Sequence, residues 1–232
     1  MSIVTGEELK ARLFEQLKAR GAVLVGAGDL TGVVDNEQTI GVSVAVPVPK
    51  NIVEQLKTAP TKEYYEMYGI LNRQLNQIVE FGAEFLRLQG YHAHANTTDV
   101  VNIDENWSTA LPHKTVAVRA GLGWIGKNCL LITESYGGAI RLSSFITDAP
   151  LPTDLPVTES KCGNCQECVR KCPAKALTGV NWRAGMKREN LFRKEICKKV
   201  QTERMIKATG IHTDMCGLCF AVCPYTQKYL DS

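Results

Sequence analysis

The cysteines of this chain are concentrated at one end. The chain has 232 residues and nine cysteines, of which only Cys129 lies before residue 162. Its first ten residues, MSIVTGEELK, are polar and acidic and lack the pattern of a secretory signal, so we expect a cytoplasmic protein. Because disulfides are rare in that reducing compartment, the eight cysteines within residues 162–223 are expected to bind metal. No apolar run approaches the length of a membrane helix, and we expect no membrane partner.

The spacing of these cysteines is specific. Residues 162–173 read CGNCQECVRKCP, and residues 216–224 read CGLCFAVCP. The first segment has the C-x2-C-x2-C-x3-C-P spacing of bacterial two-cluster ferredoxins, in which three thiolates bind one [4Fe–4S] cluster and the fourth binds the other. The second segment lacks the first cysteine of such a run, and Cys197 can supply the missing thiolate.

We therefore predict two [4Fe–4S] clusters in a C-terminal domain like the bacterial two-[4Fe–4S] ferredoxins. The predicted ligands of cluster one are Cys162, Cys165, Cys168 and Cys223, and those of cluster two are Cys172, Cys197, Cys216 and Cys219. Two alternatives stay open. Paired C-x2-C segments also bind zinc, and Cys197 could instead be a core cysteine, because Phe192, Ile196 and Val200 share its helix face.

The residues before the cysteines predict an α/β domain. Leu9, Leu13 and Leu17 recur at helical spacing, and an apolar stripe from Tyr64 to Phe85 predicts a long helix that ends at Gly90. The segments AVLVGAG, TIGVSVAVPVP and YHAHANTT predict strands, and the proline-rich segment PLPTDLPVTES predicts a linker. We therefore expect an α/β domain over 1–149, a linker over 150–160 and the cluster domain over 161–232.

Charge is divided unevenly between these regions. Residues 161–207 hold 13 Lys and Arg against 4 Asp and Glu, whereas the whole chain has a net charge of +3. A cluster held by four thiolates is anionic, so compensation of that charge is the simplest role for the basic residues. The alternatives are docking of an acidic electron donor and binding of RNA phosphate.

The segment AGLGWIGKNC, residues 120–129, matches both the dinucleotide fingerprint and most of a Walker A loop. Both sites need a helix after the loop, because the helix N-terminus holds the phosphate. Here NCLLITESYGG predicts a strand and a turn, and AIRLSSFITD predicts a second strand that completes a hairpin. We therefore exclude both nucleotide sites. The glycines either let the backbone approach a large flat ligand or form a tight structural loop, and both explanations stay open.

The segments AGLGWIGKNCLLI and ITDAPL, together with the two cysteine segments, resemble the epoxyqueuosine reductase family and its shorter double-cluster relatives. The similarity runs from about Thr115 to Tyr225. More distantly, the chain resembles the corrinoid-dependent reductive dehalogenases. This resemblance implies a nitroreductase-like fold for the α/β domain, which would hold cobalamin. It also implies that the following residues lie near the corrinoid: Gly121, Gly123, Trp124, Gly126, Lys127 and Asn128.

The resemblance implies an iron–sulfur oxidoreductase that passes single electrons through two clusters to a corrinoid or similar cofactor, for the reduction of an unidentified substrate. The acid that supplies a proton in the family falls near Trp107 here, and Asp104 or His113 could replace it. Two alternatives are a non-catalytic electron-transfer or activator protein that docks a partner enzyme, and a true epoxyqueuosine-tRNA reductase. The expected partners are an electron donor of the ferredoxin or flavodoxin type and, by the same resemblance, tRNA.

Overall fold

A computed structural model describes residues 5–35, 37–101 and 108–232. Close backbone contacts divide the chain into two units. The first unit consists of Met1–Val46, Leu71–Leu122 and Arg141–Val157, and the second consists of Pro47–Ile70, Gly123–Ile140 and Thr158–Ser232. Within the described residues, no helix is both long and apolar enough to cross a membrane.

Helices and strands alternate over the first two thirds of the chain, and the cysteine-rich part is helical. The elements before the cysteines are α1 (Gly6–Ala19), β1 (Leu24–Asp29), β2 (Ile40–Pro47), α2 (Lys50–Gln55), α3 (Lys62–Arg87), β3 (Ala93–Asn96), α4 (His113–Arg119), β4 (Trp124–Ile125), β5 (Leu131–Ile132) and β6 (Ile140–Thr147). The later elements are α5 (Glu167–Lys171), a 3₁₀ turn (Arg188–Asn190), α6 (Lys194–Thr209), α7 (Leu218–Ala221) and α8 (Pro224–Asp231). This arrangement confirms the α/β class; the nitroreductase-like fold stays a prediction.

The principal sheet has four strands in the order β1-β2-β6-β3. Strand β1 pairs antiparallel with β2, and β3 pairs antiparallel with β6. Helix α1 begins with a reciprocal cap, in which the Glu8 backbone N–H donates to Thr5 Oγ1 and the Thr5 N–H donates to the Glu8 carboxylate. The predicted stripe of Leu9, Leu13 and Leu17 is buried, which confirms this helix.

Close packing in the first unit depends on a glycine in α3. A Cβ atom on Gly82 would lie 2.6 Å from the ring of Phe145, which is fully buried in β6. Because a buried ring cannot move aside cheaply, a larger residue at this position would force the helix away from the sheet. The stripe predicted for this helix therefore includes Gly82 for a steric reason.

The proline-rich segment is held by hydrogen bonds along much of its length. In the first unit, the Asp154 carboxylate accepts hydrogen bonds from Lys10 and from the Ala27 backbone N–H, both at 2.8 Å. In the second unit, the Ser160 N–H donates to the Trp182 carbonyl at 2.8 Å. The two units also assign residues 123–140 together with the cysteine-rich part. The domain limits predicted from the sequence, 1–149, 150–160 and 161–232, stay a prediction.

The predicted hairpin between the strand after the glycine loop and β6 is wrong in its pairing. Strand β5 instead pairs with β4, with Trp124 opposite Ile132 and Ile125 opposite Leu131. The turn after β5 is closed on itself by two hydrogen bonds between Thr133 and Gly137. Strand β6 is mostly buried and lies between β2 and β3 in the larger sheet. A strand buried in this way does not need the partner that local sequence order suggests.

Candidate iron–sulfur centre

A cavity of about 310 Å³ in the second unit is lined by four cysteines from distant parts of the sequence. These four, the first cysteine group, are Cys162, Cys165, Cys168 and Cys223. The remaining lining residues are Gly126, Lys127, Asn128, Ile132, Lys161, Pro224, Tyr225 and Lys228. The first cysteine group is the same set that the sequence predicts for cluster one.

Local structure places each of these thiols. The backbone turns back between the first two cysteines, where the Cys165 N–H donates to the Cys162 carbonyl at 3.1 Å and Gly163 has a φ of 53°. Cys168 follows on the short helix α5. Cys223 is the residue before α8, which begins with Pro224. Proline suits that first helical position because its missing N–H would have no partner there.

Burial lowers the acidity of two thiols in this group, Cys168 and Cys223. Burial raises the pKa of Cys168 to about 12, and the neighbouring Cys162, Cys223 and Cys165 add to the effect. Burial also raises the pKa of Cys223, against which the backbone N–H groups of Tyr225 and Thr226 act. Cys168 and Cys223 therefore keep their protons at neutral pH in the absence of metal. Binding of metal to them therefore releases protons.

The other four candidate ligands form the second cysteine group: Cys172, Cys197, Cys216 and Cys219. Burial raises the pKa of Cys197 to about 11, and the next contributions come from Cys172 and Cys216. Burial raises the pKa of Cys219 well above its usual value. The nearby thiols raise it further, in the order Cys216, Cys168, Cys197 and Cys172. Cys197 therefore lies among the residues predicted for cluster two. The contribution of Cys168 to Cys219 shows that the two groups adjoin.

The spacing within the groups differs from that of a site for one ion. Among the described residues, no three His, Cys, Asp or Glu side chains are placed to hold a single metal ion. A zinc ion bound by thiolates needs its sulfurs about 2.3 Å from the metal. The first group instead surrounds an open cavity.

The glycine segment, residues 120–129, contains β4 and ends in the tip of the β4–β5 hairpin. The Gly126 N–H donates to the Leu130 carbonyl at 2.9 Å, which closes the loop. A Cβ atom on Gly123 would lie 2.2 Å from the carbonyl oxygen of Ile132 on the facing strand, so the hairpin itself requires this glycine. The element that follows the loop is the strand β5, as the sequence predicts, rather than a phosphate-binding helix.

Two side chains of this loop contact the cysteine-bearing segments. Lys127 Nζ donates to the carbonyls of Gly163 at 2.7 Å and Cys165 at 3.0 Å, and Lys127 is only 3% exposed. Asn128 Nδ2 donates to the Cys219 carbonyl at 3.4 Å. The family resemblance implies that both residues lie near a corrinoid, and the sequence analysis does not predict these contacts. No spacing pattern connects residue 127 with partners 36 and 38 positions away.

The other residues predicted to contact a corrinoid differ in exposure. Gly123, Trp124 and Gly126 are buried, whereas Gly121 is exposed and belongs to the first unit. The ring of Trp124 meets Tyr225 edge-on, with centroids 4.9 Å apart. The corrinoid contact of these residues stays a prediction.

Of the two candidate replacements for the family acid, only His113 lies within the described residues. Asp104 and Trp107 lie outside the described residues. His113 begins α4, and its Nδ1 lies 2.9 Å from Ser144 Oγ. Burial lowers the pKa of His113 to about 4, and the charge of Arg141 adds to this effect. The imidazole is therefore neutral at pH 7, which makes it a weak proton donor.

Comparison with known proteins identifies the cysteine-rich part. A family described as "4Fe-4S double cluster binding domain" matches residues 161–226. The curated epoxyqueuosine reductase of Bacillus subtilis (strain 168) is 30% identical over 185 residues, which are 72% of this chain and 46% of the relative. That of Listeria monocytogenes is 36% identical over 121 residues, 49% of this chain and 29% of the relative. The chain spans about half the length of the B. subtilis relative.

Solved structures share the fold of nearly the whole chain. A selenomethionine-labelled epoxyqueuosine reductase matches with a TM-score of 0.64 and 22% identity, covering 96% of this chain and 67% of that one. A catabolic reductive dehalogenase matches with a TM-score of 0.75 and 17% identity, covering 97% of this chain and 33% of that one. At these identities the likeness is one of fold.

Replacing single cysteines tests the assignment of the second group. We expect Cys197→Ser to lose one cluster, so that iron falls from about eight to about four per chain. Cys129→Ser is the matched control, because Cys129 is buried but is not a predicted ligand; it should keep about eight irons. The measurement is iron and sulfide content after anaerobic reconstitution. Full iron in both Cys197→Ser and Cys197→Ala, the second of which offers no oxygen ligand, would contradict the assignment of Cys197 as a ligand.

The pKa of His113 predicts acid sensitivity. The folded pKa of about 4 is below the usual histidine value of 6.5, so the unfolded chain binds a proton first as pH falls. Stability is then lost between pH 6.5 and 4, by up to about 3 kcal/mol. We expect His113→Gln to show a smaller fall in thermal midpoint from pH 7 to pH 5 than the unmodified protein. His94→Gln, at an exposed histidine, is the control. An equal fall in His113→Gln and the unmodified protein would contradict the prediction.

Proposed function

Because this chain is a double-cluster relative of the epoxyqueuosine reductases, we propose that it is an iron–sulfur reductase. It passes single electrons through two [4Fe–4S] clusters to a corrinoid or a similar cofactor, which reduces a substrate not yet identified. The observation that carries the proposal is the cavity of the second unit, where four thiols from crossed sequence segments meet.

The residues around this cavity fit a cluster. In the proposal, Cys162, Cys165, Cys168 and Cys223 hold cluster one, and Cys172, Cys197, Cys216 and Cys219 hold cluster two. Each cluster, when bound, takes up and returns one electron. The β4–β5 hairpin covers one side of the cavity with the buried residues Gly126, Lys127 and Asn128.

The adjoining position of the two cysteine groups supports electron transfer between them. Cys219 of the second group interacts with Cys168 of the first as well as with its own neighbours. Clusters held by these groups would therefore be neighbours. Thiolates from both sequence segments enter each group, so neither cluster can form without the other segment in place.

The cofactor beyond the clusters is proposed from likeness of fold. A reductive dehalogenase whose structure is described as suggesting a B12-dependent mechanism matches 96% of this chain with a TM-score of 0.72. Among the loop residues assigned to a corrinoid, Lys127 and Asn128 instead bind carbonyls of the cysteine-bearing segments. These two side chains do not fit a corrinoid, and the proposal gives them no step at one.

Partners and substrate follow the same relatives. One solved epoxyqueuosine reductase is in complex with an epoxyqueuosine-modified tRNA stem loop, so we propose tRNA as the first substrate to test. An electron donor of the ferredoxin or flavodoxin type would supply the clusters. Trp107 stands where the resemblance places the family acid, and this favours a second candidate function, an electron-transfer protein that serves a partner enzyme.

A cobalamin titration distinguishes the two candidates. Hydroxocobalamin is added to anaerobically reconstituted protein, and the optical spectrum of cobalt is followed. The reductase proposal predicts a spectral shift that saturates at a stoichiometric complex. A bacterial two-[4Fe–4S] ferredoxin at the same iron concentration is the control for nonspecific binding. No shift with the native protein would contradict the corrinoid and leave the electron-transfer function.

A further inference from the structure

Lys127 places a buried ammonium group in the wall of the four-cysteine cavity. The residue is 3% exposed, and its Nζ donates to the backbone carbonyls of Gly163 and Cys165. Removal of an ammonium group from water is costly unless an opposite charge compensates it. None of the described residues lining the cavity is a carboxylate. Two carbonyl dipoles satisfy two of the three N–H groups but supply no counter-charge.

We propose that Lys127 is the buried counter-cation of cluster one and raises the reduction potential of that cluster. The inference rests on the proposed function, because it presupposes a cluster on Cys162, Cys165, Cys168 and Cys223. A cluster with four thiolate ligands is anionic, and reduction adds one more negative charge. A fixed cation beside it stabilises the reduced form more than the oxidised form, so the potential rises.

Lys127 differs from the two other lysines at the cavity. Lys161 has a side chain that is 53% exposed and forms an ion pair with Glu134. Lys228 is exposed and lies over the ring of Tyr225. Water and salt screen exposed charges strongly, whereas a charge held inside the protein keeps most of its effect. Lys127 is therefore the lysine with the largest expected influence on the cluster.

Lys127 also positions the loop that carries the first two ligands. Its acceptor Gly163 has a φ of 53° and receives a second hydrogen bond from Asn181 Nδ2 at 3.1 Å. The Lys127 bonds therefore tie the β4–β5 hairpin to the Cys162–Cys165 turn. A test must separate the charge of Lys127 from this holding role. Lys127→Arg keeps the charge and donors, and Lys127→Met keeps most of the volume but removes both.

The experiment is a redox titration of anaerobically reconstituted protein, followed by electron paramagnetic resonance. In Lys127→Met we expect one of the two clusters to shift to a more negative potential while the other keeps its value. Lys127→Arg should stay near the unmodified protein. Lys161→Met, at the exposed lysine of the same cavity, should shift the potential less than Lys127→Met. Unchanged potentials in Lys127→Met, or equal shifts in Lys127→Met and Lys127→Arg, would overturn the inference.

Iron content covers the case in which Lys127→Met does not hold cluster one. A fall from about eight to about four irons in Lys127→Met, with about eight kept in Lys127→Arg, would support the counter-cation. The same loss in both variants would overturn it, because charge alone would then be insufficient. Failure of the proposed function would give a different result, because the unmodified protein would itself hold zinc or fewer than eight irons.

Discussion

The second unit depends on thiols from separate sequence segments meeting in crossed groups. Cys223, near the end of the chain, lines the same cavity as Cys162, Cys165 and Cys168. Cys172 belongs instead with Cys197, Cys216 and Cys219. This crossing joins α5, α6, α7 and the start of α8 into one structure. Metal bound to one group would therefore restrain both segments, and its binding would be coupled to folding.

The electrostatics of this site follow from burial. Cys168 and Cys197 keep their protons at neutral pH before metal binds, because burial disfavours the charged thiolate. Clusters bound to these cysteines would concentrate negative charge in this part of the protein. Burial of a lysine ammonium group destabilises a protein unless an opposite charge compensates it, and an anionic cluster would supply that charge. The hairpin residues Lys127 and Asn128 thus connect the glycine loop with the chemistry of the clusters, through backbone carbonyls of both cysteine-bearing segments.

Much of this arrangement was predictable from local sequence patterns. Ligand spacing predicts two groups of four cysteines, and the four predicted for cluster one line a single cavity. Leucine periodicity located α1. The pairing of β5 was mispredicted, because neighbouring strands in sequence need not pair when one of them is buried inside a larger sheet. The contacts of Lys127 were missed, because they join segments that no periodic pattern relates. Asp154, in the proline-rich segment, accepts hydrogen bonds from the distant residues Lys10 and Ala27, and no local pattern predicts these bonds either.

The most direct test of the account is the content of iron, acid-labile sulfide and zinc in protein purified without oxygen. Eight thiols arranged in two crossed groups predict about eight irons and about eight sulfides per chain, with zinc absent. Stoichiometric zinc, or about four irons with every cysteine intact, would contradict it.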